Sequence, residues 1–292
     1  MHEAIIEDVP ITKRDIYYRD VNLYRAQQTV DNLVDDVAAT LNLERSDLNV
    51  RATSKGTFCG SVLSIHLSTG EITQGTNSEP ALIPVGEDVE TFSVDDDLAW
   101  VLVVEKDAVF QTLCHLNVCN DPSLPGKGLL ITGKGYPDMA TRHLVKTLSD
   151  CLPSTIPIIA LVDGDPYGLD IMSVYKFGSS RMRHENQKLA AGRIEWMGIL
   201  SSELTGLGID KDALIPITDH DQKKALSMLH RPTNIMPDSW KKELMHMLHN
   251  RRKAEIEILY DKPEPVLQSD STRSLSHSQL KHFVFVAQAL DG

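Results

Sequence analysis

The feature that most constrains the fold of this chain is residues 158–168, Ile-Ile-Ala-Leu-Val-Asp-Gly-Asp-Pro-Tyr-Gly. A short apolar run that ends in turn formers reads as a buried parallel strand. Alternate residues of a strand point the same way. Asp163 and Asp165 are therefore expected to project together from the carboxyl end of that strand, where open α/β sheets place their ligands. Two carboxylates aimed at one spot repel unless a cation lies between them, and oxygen-only ligation suits Mg²⁺. An Asp-x-Asp taken alone fits a solvated turn better than a metal clamp, so the flanking sequence has to decide.

The flanks alternate strand and helix. Residues 98–107 are an apolar strand ending in Glu105-Lys106-Asp107, followed by a short helix. Residues 128–138 run from a strand into Gly133-Lys134-Gly135, with Asp138 placed to cap the next helix. Residues 193–200 make a fourth strand. This rhythm predicts an α/β fold with a Rossmann-like parallel sheet covered on both faces. From residue 201 the pattern turns helical, with Trp240, Leu244, Met247, Leu248 and Ile256 near helical spacing.

Upstream, Val30, Leu33, Val34, Val37, Ala38 and Leu41 recur at helical spacing. Short β-like pieces broken by Lys55-Gly56, Gly60 and Gly70 follow and read as a hairpin with a wing-like turn. Residues 1–75 are thus expected to form a winged-helix-like module, starting with no helix before its first motif. Residues 76–97 are polar and contain Pro80 and Pro84, the composition of a linker. Residues 98–260 form the parallel-sheet domain with its helical extension. Residues 261–292 change to a Ser-rich, Pro-bearing tail.

Charge narrows the partners. The net charge of −12 excludes non-specific nucleic-acid binding as a property of the whole surface. Its distribution is uneven, however. Residues 71–108 hold ten acids against one lysine, and residues 222–253 hold eight Lys/Arg against two acids, so a basic face remains available. No apolar run approaches the ~20 residues of a membrane span. The four cysteines do not have the density of a disulfide framework, and Cys114, His115 and Cys119 make at most half of a zinc site.

Glu105 stands at one strand end and Asp163 and Asp165 at another, which is the pattern of a Toprim metal clamp. Hard oxygen ligands on a rigid edge hold Mg²⁺ where charge develops on a phosphate. A second element is Arg14-Asp15-Ile16-Tyr17-Tyr18. A tyrosine can attack a phosphodiester and hold the broken strand as a phosphotyrosine. A phenol ionises only near pH ~10, so it needs a base, metal or cation beside it. Arg14 could steady the phosphate through two hydrogen bonds, and Lys55 or Lys134 as point charges. The residues themselves do not choose between Tyr17 and Tyr18.

The set RDIYYRD, TSKG, VVEKDAVF, ITGKGYPD and LVDGDPYG, in this order and spacing over about residues 10–260, resembles the topoisomerase VI A-subunit family with its Spo-eleven meiotic members. The resemblance implies a winged-helix domain with the nucleophilic tyrosine and a Toprim domain binding Mg²⁺. Tyr18 then matches the nucleophile, and Glu105, Asp163 and Asp165 match the metal ligands. Arg14 and Lys55 match basic positions beside the nucleophile. It further implies a type IIB topoisomerase-like transesterase that makes meiotic double-strand breaks through a 5′-phosphotyrosyl link. The implied partners are double-stranded DNA, a second copy at cleavage, and B-subunit-like and accessory meiotic proteins on chromosomes in the nucleus, with no membrane. The two competing readings are a Toprim nuclease that uses the metal without the tyrosine, and a non-catalytic winged-helix DNA-binding module. Against the family pattern, the chain begins close to the tyrosine motif, and the sequence after Tyr260 is expected to diverge.

Overall fold

The computed structural model describes residues 2–7, 9–43, 46–51, 54–179, 186–204, 209 and 211–259. The expected tail, 261–292, lies outside the described residues.

The N-terminal part has its own small core. Its elements are α1 (His2–Ile6), β1 (Ile11–Thr12), α2 (Lys13–Arg19), α3 (Val21–Tyr24), α4 (Gln27–Leu41) and β2 (Val50–Arg51). The helical spacing in α4 buries Val30, Val34 and Ala38, and these pack on Ile11, Ile16, Leu48 and Val50. Asn42 ends α4 in the left-handed conformation. The short parallel pair β1–β2 closes the module, with Ile11 opposite Val50. Thr12 caps α2 in a reciprocal box with Asp15, which holds the helix of the RDIYY motif at its start.

The body follows without the expected linker. It begins with β3 (Thr57–Cys59), β4 (Leu63–Leu67), β5 (Ile72–Gln74), β6 (Ala81–Leu82), β7 (Val89–Val94) and β8 (Leu98–Val104). It continues through α5 (Asp107–His115), β9 (Lys127–Thr132), α6 (Met139–Cys151), β10 (Ile158–Leu161), α7 (Pro166–Phe177), α8 (Asn186–Leu189) and β11 (Glu195–Gly198). The last elements are β12 (Ile215–Pro216), α9 (Asp219–Leu229), α10 (Asp238–Asn250) and β13 (Arg252–Lys253).

A six-stranded sheet in the order β11-β10-β8-β9-β3-β6 forms the centre. β11, β10, β8 and β9 run parallel, and β3 and β6 add antiparallel strands at one edge. Alternation divides the strands between two layers, as expected for a sheet covered on both faces. Val101, Val103, Leu129, Ile131 and Ala160 face α6 and α7, whereas Trp100, Leu102, Leu130 and Ile159 face α5.

Two expectations need correction here. The hairpin predicted as the wing of the N-terminal module belongs to the body. β3 joins the main sheet, and β4 forms a three-stranded sheet with β5 and β7. Leu63 and Ile65 of β4 are buried in the body's core. Residues 76–97 are likewise no linker, because they supply β6 and β7. Most of their acids are exposed, Pro80 and Pro84 are half-buried and Ile83 is buried, so composition concealed a half-buried edge.

The predicted last helix is also shorter than its periodicity implied. α10 stops at Asn250 because Arg251 adopts the left-handed conformation. Residues 252–255 then run as an extended strap back to the sheet, and a 3-10 turn follows at Ile256–Leu259. Gly164 and Ala254 exchange backbone hydrogen bonds of 2.8 and 3.2 Å. Ile256 is buried beneath that strap rather than on a helix stripe.

Candidate active site

β8 and β10 are neighbouring parallel strands, with Val104 opposite Leu161. Their pairing continues past the strand ends, since the Glu105 N–H donates to the Leu161 carbonyl at 3.0 Å. Glu105, Asp163 and Asp165 therefore come to one edge of the sheet, as the sequence predicted. The close fit needs Gly168: a side chain there would run into the backbone of Asp163, against which the first turn of α7 rests.

Each acid is held by a backbone amide. Glu105 Oε2 accepts from the Asp163 N–H at 2.8 Å, and Asp163 Oδ1 accepts from the Ile256 N–H at 2.9 Å. Asp165 Oδ1 caps α7, accepting from the N–H groups of Tyr167 and Gly168 at 2.9 and 2.8 Å. The other oxygens of the two aspartates meet lysines that the sequence reading passed over. Lys106 Nζ lies 3.3 Å from Asp163 Oδ2 and also reaches Glu255 at 3.1 Å and Glu257 at 2.6 Å. Lys253 Nζ lies 3.4 Å from Asp165 Oδ2 and 3.1 Å from Asp221.

Among the described residues Glu105 has no such lysine ion pair, and its ionisation records this. Burial, followed by the negative charge of Asp163, pushes its carboxyl up to about 8. Burial also raises Asp163, to about 6, against the pull of the Ile256 amide and Lys106. Such crowding of half-buried acids marks a functional edge more often than a purely structural one.

Among the described residues, no three His, Cys, Asp or Glu side chains converge into a ready metal cage. The acids nevertheless fit a hard divalent cation in kind. All the donors are oxygens, and Glu105, whose ionisation burial and Asp163 oppose, has no ion-pair partner among the described residues. Glu105 with the Lys-facing oxygens of Asp163 and Asp165 would hold it.

Lys55 also comes to this edge. Its backbone N–H and that of Gly56 donate to Asp138 Oδ2 at 2.6 and 3.0 Å, and its ammonium donates to the Lys134 carbonyl at 3.0 Å. Asp138 caps α6 as predicted, through the Thr141 N–H. The Gly133-Lys134-Gly135 turn rests on the Glu105 carbonyl through the Gly135 N–H at 2.9 Å. The Lys55 ammonium is lowered in pKa, chiefly by burial. Lys55 is thus tied to Asp138 and to the Lys134 turn, the turn that rests on the Glu105 carbonyl.

Tyr18 is elsewhere. The two tyrosines, equivalent in sequence, differ in environment: Tyr17 packs on the module's core, whereas Tyr18 is 69% exposed. Their rings are 5.4 Å apart and tilted. Arg14, also exposed, precedes Tyr18 by one helical turn and shares its face of α2. Among the described residues no hydrogen bond, ion pair or ring contact joins Tyr18 to the acids of the body. Among the described residues Cys114, His115 and Cys119 form no metal group. Cys114 and Cys119 are buried in the apolar core with Cys59, and His115 hydrogen-bonds the Gln111 carbonyl of its own helix at 2.7 Å.

A further polar cluster was not foreseen. Asp170 of α7 accepts from Tyr136 and Lys224 and from Arg231, each at 2.6 Å. Its members are spread over 96 positions of the chain, from Tyr136 to Arg231, and only the fold gathers them.

Comparison with known proteins accounts for both parts of the chain. Residues 100–270 match the family model for the Toprim domain of Spo11 and the A-subunit of topoisomerase 6, and residues 1–50 match "Type IIB DNA topoisomerase". The second range closely covers the N-terminal core, and the first runs past Tyr260, where divergence was expected. The chain is 39% identical over 259 residues to the mouse meiotic recombination protein SPO11, covering 89% of this chain and 64% of that protein. It is 33% identical over 280 residues to the fission yeast meiotic recombination protein rec12, covering 95% and 76%. It is 34% identical over 260 residues to the A3 subunit of rice DNA topoisomerase 6, covering 89% and 57%. The chain thus spans about two thirds or less of the length of most of these relatives. No described helix is long and apolar enough to cross a membrane. With a Toprim sheet carrying its acids at the predicted edge and a matching N-terminal module, the chain belongs to the family of Spo11 and the A-subunit of topoisomerase VI.

Proposed function

We propose that this protein is a DNA strand-transesterase that makes double-strand breaks to begin meiotic recombination. The observation that carries the reading is Tyr18, an exposed phenol one turn from the exposed Arg14, in the segment matched by the type IIB topoisomerase model. Arg14 orients a backbone phosphate, and the Tyr18 oxygen attacks its phosphorus. The P–O bond to the 3′-oxygen breaks, that oxygen takes up a proton, and the 5′-phosphate stays on Tyr18. The phenol proton leaves to a base or to water. Glu105, Asp163 and Asp165 would hold Mg²⁺, which when bound would neutralise charge at the phosphate. Lys55 and Lys134 add positive charge at the same edge. One ester replaces another, so cleavage itself requires no nucleotide hydrolysis.

Both strands of double-stranded DNA need a tyrosine, so the working form is a homodimer in which each Tyr18 serves its partner's acids. The short connection supports this arrangement. Only residues 52–56 separate the module's last strand from β3, and Arg51 is tied to Asp88 of the body at 3.0 Å. The names of the relatives support B-subunit-like and accessory meiotic partners and action on chromosomes in the nucleus. A covalent-adduct assay on denatured protein–DNA mixtures tests the reading. The native chain forms an adduct that Tyr18→Phe abolishes while DNA binding persists. Metal-dependent hydrolysis without an adduct would favour a Toprim nuclease, and metal-indifferent binding a DNA-binding module without chemistry.

A further inference from the structure

The two aspartates of the Asp-x-Asp pair are held by opposite kinds of lysine contact. Lys106 clasps Asp163 together with Glu255 and Glu257, three acids around one ammonium. Lys253 is shared between only two, and unequally. It approaches both oxygens of Asp221, at 3.2 and 3.1 Å, and stands 3.4 Å from Asp165 Oδ2. Its side chain is 15% exposed and that of Asp221 is 3% exposed, so water screens this pair weakly. Asp221 is itself fixed by the Thr218 cap of α9. The strap fixes the other side, because the Ala254–Gly164 backbone pairing pins Lys253 beside the Asp-x-Asp turn.

From this arrangement we infer that Lys253 is a built-in counter-ion for Asp165, one that a divalent cation must displace onto Asp221 to complete the acid site. The inference rests on the metal reading of Glu105, Asp163 and Asp165. Asp221 makes the displacement cheap, because the ammonium keeps a buried carboxylate when it leaves Asp165. A cation arriving at Asp165 meets a like charge within a few ångströms, so Lys253 weakens metal binding in the resting protein. The device keeps the acid edge folded and electrically balanced in the absence of metal. It also sets the metal concentration at which the site fills.

The test is Mn²⁺ binding to the full chain, followed by the EPR signal of free Mn²⁺, with thermal melts at each concentration. Glu105→Gln reports the metal site itself, and it is expected to abolish saturable binding. Lys253→Met keeps the apolar stem and removes the charge, so affinity is expected to rise about tenfold. Mn²⁺ should then raise the melting temperature of that variant more than it raises the native one. Asp221→Asn removes the waiting partner and leaves Lys253 to Asp165 alone, so affinity is expected to fall about threefold. A merely structural role for the lysine would lower affinity in both variants; opposite signs are the signature of the counter-ion. Unchanged or weaker binding by Lys253→Met, or unchanged binding by Asp221→Asn, overturns the inference. If the native chain and Glu105→Gln behave alike, the metal reading fails first and takes the inference with it.

Discussion

The N-terminal module and the sheet body carry opposite designs for reactive groups. In the module, the nucleophile candidate is a phenol almost free of neighbours on a seven-residue helix over a core of eight buried side chains. In the body, every acid of the site is gripped by a backbone amide, and two are gripped by lysines as well. The contrast follows from the chemistry each group must do. A nucleophile has to reach into a substrate phosphate, so exposure serves it. Carboxylates that would share a cation, as proposed, have to be held against their own repulsion, which a rigid, partly buried edge does.

The contrast is sharpest if the two cores are energetically separate. Leu130 is fully buried in the body, and Leu130→Ala should cost ~2–5 kcal/mol of body stability. Val34→Ala, in the module, should cost less because two methyl groups are lost instead of a larger fragment. Combined, the two should add to within ~0.5 kcal/mol in chemical denaturation, since they share no neighbours. A larger coupling would show that module and body fold as one unit.

The acids of the body should also make their strain visible through pH. Glu105 is raised from an ordinary 4.5 to about 8, and Asp163 from 3.8 to about 6. The folded state therefore binds protons more tightly than the unfolded chain. The contribution of these two acids to stability is fullest below pH ~4 and is lost as pH rises through about 8. In chelator, melting temperature should fall between pH 5 and 8. Glu105→Gln should match the native chain at pH 5 and melt above it at pH 8. Parallel curves would mean that Glu105 does not carry this charge.

The smallest effect concerns the nucleophile's own helix. Thr12→Ala removes the cap of α2 and should cost about 1 kcal/mol. Amide exchange should speed up in residues 13–19 while the body stays unchanged. Protection lost throughout the body would break the comparison.

The sheet and its acid edge were legible because local sequence encodes them. Apolar runs ending in Glu105 and Asp163 announce strands and strand ends together, and Asp138 before α6 announces a cap. The edge strands were not legible. β7 alternates half-buried Val89, Phe92 and Val94 with exposed Glu90, Thr91 and Ser93, and β6 is two residues long, so composition averages both into a linker. The strap was hidden for a different reason. Residues 252–257 continue a helical spacing that Arg251 interrupts through its backbone conformation, and their role depends on hydrogen bonds to Gly164 and Asp163, some 90 positions away. Lys106 and Lys253 read as ordinary charges until the fold sets them against Asp163 and Asp165. The choice of Tyr18 over Tyr17 rests on resemblance, because in sequence the two are equivalent and only the fold makes them differ, in exposure.

The central claim is that the exposed tyrosine of one protomer works with the gripped acids of another. It is tested most directly by mixing Tyr18→Phe chains with Glu105→Gln chains and assaying covalent protein–DNA adducts. Each variant alone should be inactive. The mixed dimer should regain one working site, giving a nicked strand with an adduct on the Glu105→Gln chain, whose Tyr18 is intact. Heterodimers that form by native mass measurement yet never yield adduct would place each complete site within a single chain and contradict the account.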